Sequence, residues 1–404
     1  INEETATDEQ KGYIAAAKAF RALAYLDLGR MYEYLPTDVT KGVNADGNDV
    51  TGLTVPIVKE GMAEADARNN PRVKKEDLIK FIKEDLEYAE QNIGKLTKTE
   101  KTLPHLDCVY GLEARLYMWE GDYAKAQAAA DNAIKASSVQ PMTQAQCLNT
   151  TTGFNNLADF MWGSQQTSED VVVSTGIVNW ISFMCNEQTF GYCGAGTGDY
   201  IRIDTLAYNR LNDTDFRKLE WVAPAGSPIA NKVSFVNKAY GASMPPMASV
   251  KFRPNQGEMD APSVAAATAF PVMRVEEMYY IRMEAAAQQD AAKGKELLEL
   301  FMKTRDPKYT CKATSKEDII KEIYFQKCID LWGEGITFFD MKRLNYSLTR
   351  GYHGTNHSVG ARINTNGRPA TTNFLFYRTE AENNTALKGW NNPDPSGKYP
   401  LWTE

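Results

Sequence analysis

The chain has 404 residues, 43% of them hydrophobic and 24% charged, with a formal net charge of −7 and an isoelectric point near 5.3. That balance belongs to a globular chain with ample apolar material for a core and excludes a disordered polypeptide. No basic stripe stands out, so nucleic acid and anionic membrane surfaces are poor partners, and no apolar run approaches the roughly 18 residues a spanning helix needs.

In chain order, residues 8–35 read as a long helix or helix pair, rich in Ala15, Ala16, Ala17, Ala19, Ala22 and Ala24, with Phe20, Leu23, Leu28, Met31 and Leu35 as larger contacts and Pro36 at the end. Residues 37–71 read as a polar loop. A helix over 75–96 carries Leu78, Phe81, Ile82, Leu86, Ala89 and Ile93 on one face. Over 106–136, Ala114, Tyr117, Gly121, Tyr123, Ala126, Ala130 and Ala133 have the spacing of a tetratricopeptide hairpin: small residues let two helices approach and Gly121-Asp122 turns the chain. Residues 13–36 read as a degenerate unit of the same kind. Residues 137–268, rich in Gly, Ser, Thr and Asn, read as irregular structure with a few short strands or helices, and so long a non-repetitive stretch is expected to carry function. Helices return over 269–305. The segment 319–345 is an amphipathic helix, with Ile320, Tyr324, Cys328 and Leu331/Trp332 on its apolar face, that breaks at Gly333-Glu334-Gly335 into an aromatic-rich turn holding Phe338, Phe339, Asp340 and Arg343. Residues 346–404 read as loops.

Catalytic signatures are missing: there is no GxSxG, no HExxH and no Gly-Lys-Ser/Thr phosphate loop, and three His leave little room for imidazole chemistry. The six Cys show neither a CxxC pair nor zinc spacing; Cys328 reads as a small hydrophobe, and Cys185 and Cys193 can pair in an oxidising compartment, a point the spacing leaves open. Asn44, Asp46, Asn48 and Asp49 form an oxygen-rich loop without EF-hand spacing and read as a solvated turn, and His353 and His357 read as surface loop rather than a metal pair. No cofactor and no metal are expected. Carboxylate pairs for glycoside hydrolysis can be drawn from 52 acids, but nothing singles one out.

The order of several elements resembles the SusD/RagB family: an Ala-rich helix ending in Tyr34-Leu35-Pro36, Asp85-Leu86-x-x-Ala89, the Ala114-Arg115-Leu116-Tyr117 and Gly121-Asp122-Tyr123 repeat, Asp215-Phe216-Arg217, Arg274 with Glu284, and the Leu331-Trp332-Gly333-Glu334-Gly335, Phe338-Phe339-Asp340, Lys342-Arg343-Leu344 segment. The ending after Phe376 matches only loosely, without the family's Pro. The resemblance implies a mostly α single domain over 1–404: tetratricopeptide-like hairpins in 1–136 and 269–345 as scaffold, a loop-rich ligand-facing region at 137–268 packed on one side, and C-terminal loops at 346–404. It implies a non-enzymatic, glycan-binding lipoprotein on the outer surface of a Bacteroidetes-type outer membrane that works with a SusC-like TonB-dependent transporter. The chain opens at Ile1 with no Met and no signal peptide, so the lipidated Cys is expected upstream. A tetratricopeptide adaptor and a helical glycoside hydrolase are the alternatives.

A sugar site needs flat apolar faces for pyranose C–H groups and amides or carboxylates for hydroxyls. Segment 179–202 offers Asn179, Trp180, Phe183, Tyr192, Asp199, Tyr200 and Arg202 as ligand-binding candidates, with Phe190 beside them and Gly191, Gly194, Gly196 and Gly198 to permit a close-fitting loop. Trp221, Trp390 and Trp402 are weaker candidates, whereas Trp119 and Trp332 fall within scaffold patterns.

Overall fold

A computed structural model describes residues 5–404. The chain is mostly helical, and among these residues the only sheet is a two-stranded one. Helix α1 (Asp8–Tyr32) opens on a capping box: the Gln10 amide donates to the Thr7 hydroxyl at 3.3 Å, and the Gln10 side chain accepts from the Thr7 amide at 2.9 Å. It is one continuous helix, so residues 13–36 are not a degenerate hairpin: the alanine run favours helix and no left-handed residue interrupts it. Its hairpin partner is α2 (Lys75–Asn92); the predicted apolar residues Leu78, Phe81, Ile82, Leu86 and Ala89 on it, and Ile93 just past its end, are all buried. The buried face of α1 is the line Ala15, Ala19, Ala22 and Leu26, while Phe20 and Leu28 are 41% and 39% exposed. The thin alanine face lets α2 come close, and Arg21 locks the pair by donating to both oxygens of buried Asp85, at 2.7 and 2.6 Å.

Helices α3 (Leu106–Glu120) and α4 (Tyr123–Ala136) form the predicted hairpin. Gly121 turns it at φ +91°, a conformation that side chains resist, and Asp122 caps α4 through the Lys125 amide at 3.1 Å. Ala114, Ala126, Ala130 and Ala133 are fully buried in the seam. Next, β1 (Trp162–Gln165) pairs antiparallel with β2 (Ala269–Met273), in register Trp162 opposite Met273. The strand β2 leads into α5 (Val275–Gln289), which packs on α4, α6 (Ala291–Met302) and α7 (Lys316–Asp330). On α7, Ile320 is buried as expected, as is Leu331 just past its end, but Tyr324 and Cys328 are only half-buried. Ile319, Ile323 and Ile329 go deeper, because the helix is covered on more than one side. After Gly333 and Gly335, at φ +79° and +78°, the expected aromatic turn is instead a second helix, α8 (Thr337–Leu344), closed by left-handed Asn345. None of the described helices is long and apolar enough to cross a membrane.

Residues 137–268 hold only short helices, turns and β1, as the composition implied. They are joined to the helices by buried charge. Arg217 donates to both Asp215 oxygens at 3.0 and 2.7 Å and to the Gln326 carbonyl at 3.2 Å. Asp330 accepts from Arg305 at 3.0 Å and from the Tyr280 hydroxyl at 3.1 Å. Lys251 and Arg274 converge on Glu334 Oε1 at 2.8 and 2.9 Å. Burial alone would raise the Asp330 carboxyl, but Arg305, Arg217 and Arg274 outweigh it and hold it well below the usual carboxylate range. Neighbouring Glu220 is buried with one oxygen lacking a hydrogen-bond partner among the described residues, and desolvation pushes its carboxyl up to about 7.

The oxygen-rich loop is an Asx turn. Asn44 Oδ1 accepts from the Asp46 and Asn48 amides at 3.1 and 3.0 Å, and its Nδ2 donates to the Gly389 and Asn391 carbonyls, both at 2.9 Å. The C-terminal loops are tied down in the same way: Arg72 links the Tyr32, Leu53 and Thr54 carbonyls to the Trp390 carbonyl and Asn392.

Candidate functional site

Segment 171–202 is shaped by three buried amides. Asn179 caps the short helix Trp180–Met184, accepting from the Ser182 amide at 2.9 Å and donating to the Val172 carbonyl at 3.1 Å. Asn186 pairs with both backbone groups of Ile201, at 2.9 and 2.7 Å, and reaches the Ser249 carbonyl at 3.0 Å. Gln188 donates to the Ile181 and Ser182 carbonyls at 2.9 and 3.2 Å. The glycines permit the fit: a Cβ on Gly194 would stand 2.2 Å from the Asn186 carbonyl oxygen, and one on Gly191 would stand 2.5 Å from the Ser182 hydroxyl. Cys185 and Cys193 are both buried free thiols, and the Cys193 thiol donates to the Cys185 carbonyl at 2.9 Å.

The seven candidate residues separate into three groups. Asn179 is buried and committed to capping, and Trp180 is stacked on Phe270 at 5.1 Å and 12° with its edge on Phe252, so both support the loop from beneath. Phe183 and Tyr192 stack on each other at 4.9 Å and 21° and are 47% and 50% exposed. Two rings left that open form an apolar shelf facing solvent. Asp199, Tyr200 and Arg202 lie along a cleft of 640 Å³ that also includes Ser243, Asn356 and His357. The loop 192–199 joins shelf to cleft; within it the Thr197 hydroxyl donates to the Tyr192 carbonyl at 3.2 Å and accepts from the Asp199 amide at 3.2 Å.

The far wall of the cleft comes from the C-terminal loops, which sequence reasoning did not connect with the site. Asn356 donates to the Ile203 carbonyl at 2.7 Å and accepts from the Thr205 amide at 3.2 Å, and Arg202 donates to the Asn356 carbonyl at 3.3 Å. His357 meets Asp204 at 3.1 Å, and the Tyr352 hydroxyl donates to the same Asp204 oxygen at 2.5 Å. Partial burial pushes the His357 imidazole below its usual value despite Asp204. His353 goes elsewhere, edge-on to Trp402 at 5.4 Å, so the two histidines share no site. No group of three or more metal-ligating side chains occurs among the described residues. Of the weaker tryptophans, Trp221 is fully buried, and its indole edge meets Trp332 at 5.7 Å; Trp390 is 39% exposed.

An exposed aromatic pair next to an open cleft lined by a carboxylate, a phenol, a guanidinium, an amide and a hydroxyl can stack on a ring face and hydrogen-bond hydroxyls. Asp204 is engaged by His357 and Tyr352, and the cleft-lining acid Asp199 is exposed.

A family model described as the SusD family matches residues 193–395. No curated protein matches. Several solved structures share the fold. A SusD-like carbohydrate binding protein from Bacteroides vulgatus ATCC 8482 is 18% identical with a TM-score of 0.71, over 97% of this chain and 80% of its own. A putative sugar binding protein from the same organism is 20% identical with a TM-score of 0.69, over 96% and 78%. A SusD superfamily protein from Bacteroides thetaiotaomicron VPI-5482 is 17% identical with a TM-score of 0.67, over 95% and 79%.

Proposed function

The chain belongs to the SusD family, and from that premise we propose that it binds an oligosaccharide or polysaccharide at the cell surface and delivers it to a SusC-like TonB-dependent transporter in the outer membrane. It acts as a binder and not as an enzyme. The observation that carries the reading is the solvent-facing Phe183–Tyr192 stack beside the cleft of Asp199, Tyr200 and Arg202. Such rings supply the flat apolar faces that pyranose C–H groups cover, and the cleft supplies donors and acceptors for hydroxyls. In this reading residues 137–268 and the 346–404 loops face the ligand within one domain, and the helical scaffold faces the transporter. A lipid anchor upstream of Ile1 would hold the protein at the outer surface.

Affinity electrophoresis and calorimetry against a panel of neutral and charged glycans test the proposal. Binding to one class is expected without release of reducing ends. Phe183→Ala or Tyr192→Ala should weaken it about tenfold, equivalent to about 1.4 kcal/mol. Hydrolysis of the bound glycan would replace this reading with the hydrolase one, and unchanged affinity in both variants would remove the shelf as the site. Co-purification with a TonB-dependent transporter tests the delivery step.

A further inference from the structure

A second cavity, of 210 Å³, lies inside the helical scaffold and shares no lining residue with the cleft. It sits where α1, α3, α5, α7 and α8 meet, and it is far larger than the roughly 15 Å³ a single water needs. Its wall carries seven basic side chains against three acidic ones. Five of the bases have carboxylate partners. Arg30 meets Asp27 at 2.5 Å and Lys75 meets Glu33 at 3.6 Å. Arg115 donates to both oxygens of Glu277 at 2.8 and 2.6 Å. Lys327 meets Asp340 at 2.7 Å, and Arg343 is shared between Glu284 and Asp340 at 2.8 and 2.9 Å.

Lys342 and Arg368 are the two bases left over. Lys342 is 2% exposed and donates to the carbonyls of Arg30, Met31 and Glu33 at 2.8, 2.9 and 2.7 Å, all neutral acceptors at the end of α1. Among the described residues, Arg368 Nε donates only to Asn345 Oδ1, at 3.0 Å. Even with Asp27 and Glu284 counted, the acids number five against seven bases, a surplus of two basic groups around a partly open cavity. One nitrogen of Arg343, Nη1, is buried without a hydrogen-bond partner among the described residues. Buried charge without a counter-charge is costly, and the protein relieves part of it by deprotonation. Desolvation pushes the Lys342 ammonium down to about 7; Glu33 opposes the shift, while Arg368 and Arg72 add to it.

We propose that this cavity binds one small tetrahedral oxyanion, phosphate or sulfate, which supplies the missing negative charge and accepts hydrogen bonds from the cavity's basic side chains. The anion fastens α8 and the Arg368 loop to the end of α1 and so braces the scaffold from within. Lys342, whose three N–H groups are already donated to carbonyls, contributes charge alone, while the Arg368 guanidinium and the spare Arg343 N–H contribute donors; together they match a divalent acceptor with four oxygens, and chloride offers neither the double charge nor the oxygens.

Thermal unfolding and calorimetry of the intact chain in sodium phosphate, sodium sulfate and sodium chloride at matched ionic strength test the inference. Phosphate and sulfate are expected to raise Tm above chloride and to titrate one site. Sulfate binding near pH 7.5, measured in buffers of different ionisation heat, should take up part of a proton as Lys342 recharges, and Lys342→Met should abolish that uptake. Arg368→Gln should weaken sulfate binding at least fivefold. Equal Tm in the three salts would overturn the inference without recourse to any variant. So would sulfate binding unchanged in both Lys342→Met and Arg368→Gln.

Discussion

The hairpin α3–α4 and the irregular region 199–260 are held by different forces. In the hairpin, alanines meet across a seam and Gly121 turns the chain, all between Leu106 and Ala136. In the irregular region, order comes from distant partners: Arg217 with Gln326, Lys251 with Glu334, and Asn186 with Ser249. Arg253 likewise pairs with Glu187, both fully buried. The hairpin should tolerate loss of an outward-facing charge but not of close contact. The irregular region should tolerate reshaped surface but not loss of a buried ion.

Asp330→Ala should test the contrast most severely. It leaves Arg305, Arg217 and Arg274 without their shared counter-charge, and breaking a buried pair costs about 3–5 kcal/mol. Urea unfolding reads the loss, and proteolysis should open the 199–260 region before the helices. A drop below about 1 kcal/mol would mean that the network does not hold that region. Glu220 gives a pH-dependent form of the same test. Its carboxyl keeps a proton to about 7 when folded, whereas the unfolded group ionises near the ordinary glutamate value of 4.5. Its contribution is therefore complete at low pH and is lost as pH rises toward 7 and beyond. Glu220→Gln should gain on the wild type by up to about 1.4 kcal/mol for each pH unit across that window. A constant difference between the two from pH 4.5 to 7 would contradict the assignment. In the hairpin, Ala130→Leu overfills a fully buried seam and should cost about 1–3 kcal/mol, while Lys125→Ala, on the outer face of the same helix, should stay within about 0.5 kcal/mol. The smallest stability effect is expected at the shelf: Phe183→Ala should change unfolding free energy by about 0.5 kcal/mol or less while weakening glycan binding. A large stability loss there would recast Phe183 as a core residue.

The Gly333-Glu334-Gly335 segment shows what a family-like motif can be for. It looked like a helix break followed by aromatic packing. In the fold, Glu334 receives Lys251 from the irregular region and Arg274 from the start of α5, and the two left-handed glycines turn the chain at that junction. Asp215-Phe216-Arg217 has the same character, since Arg217 reaches α7. Both segments join scaffold to loops, and neither borders the proposed ligand cleft.

By itself the sequence determined the helices with strong periodicity, the α3–α4 turn and its cap, the irregular character of 137–268 and the family pattern. These follow from backbone propensity and neighbours a few residues apart. It also marked the stretch from which the shelf and half of the cleft come. Only the tertiary structure decided that α1 is one helix paired with α2, that Asn179 and Trp180 lie beneath the shelf while Phe183 and Tyr192 form it, and that Asn356 and His357 close the cleft from some 150 residues away. It alone revealed that seven bases surround one cavity. Side-chain exposure and the pairing of buried charges depend on which distant segments meet, and no local period in the chain records that.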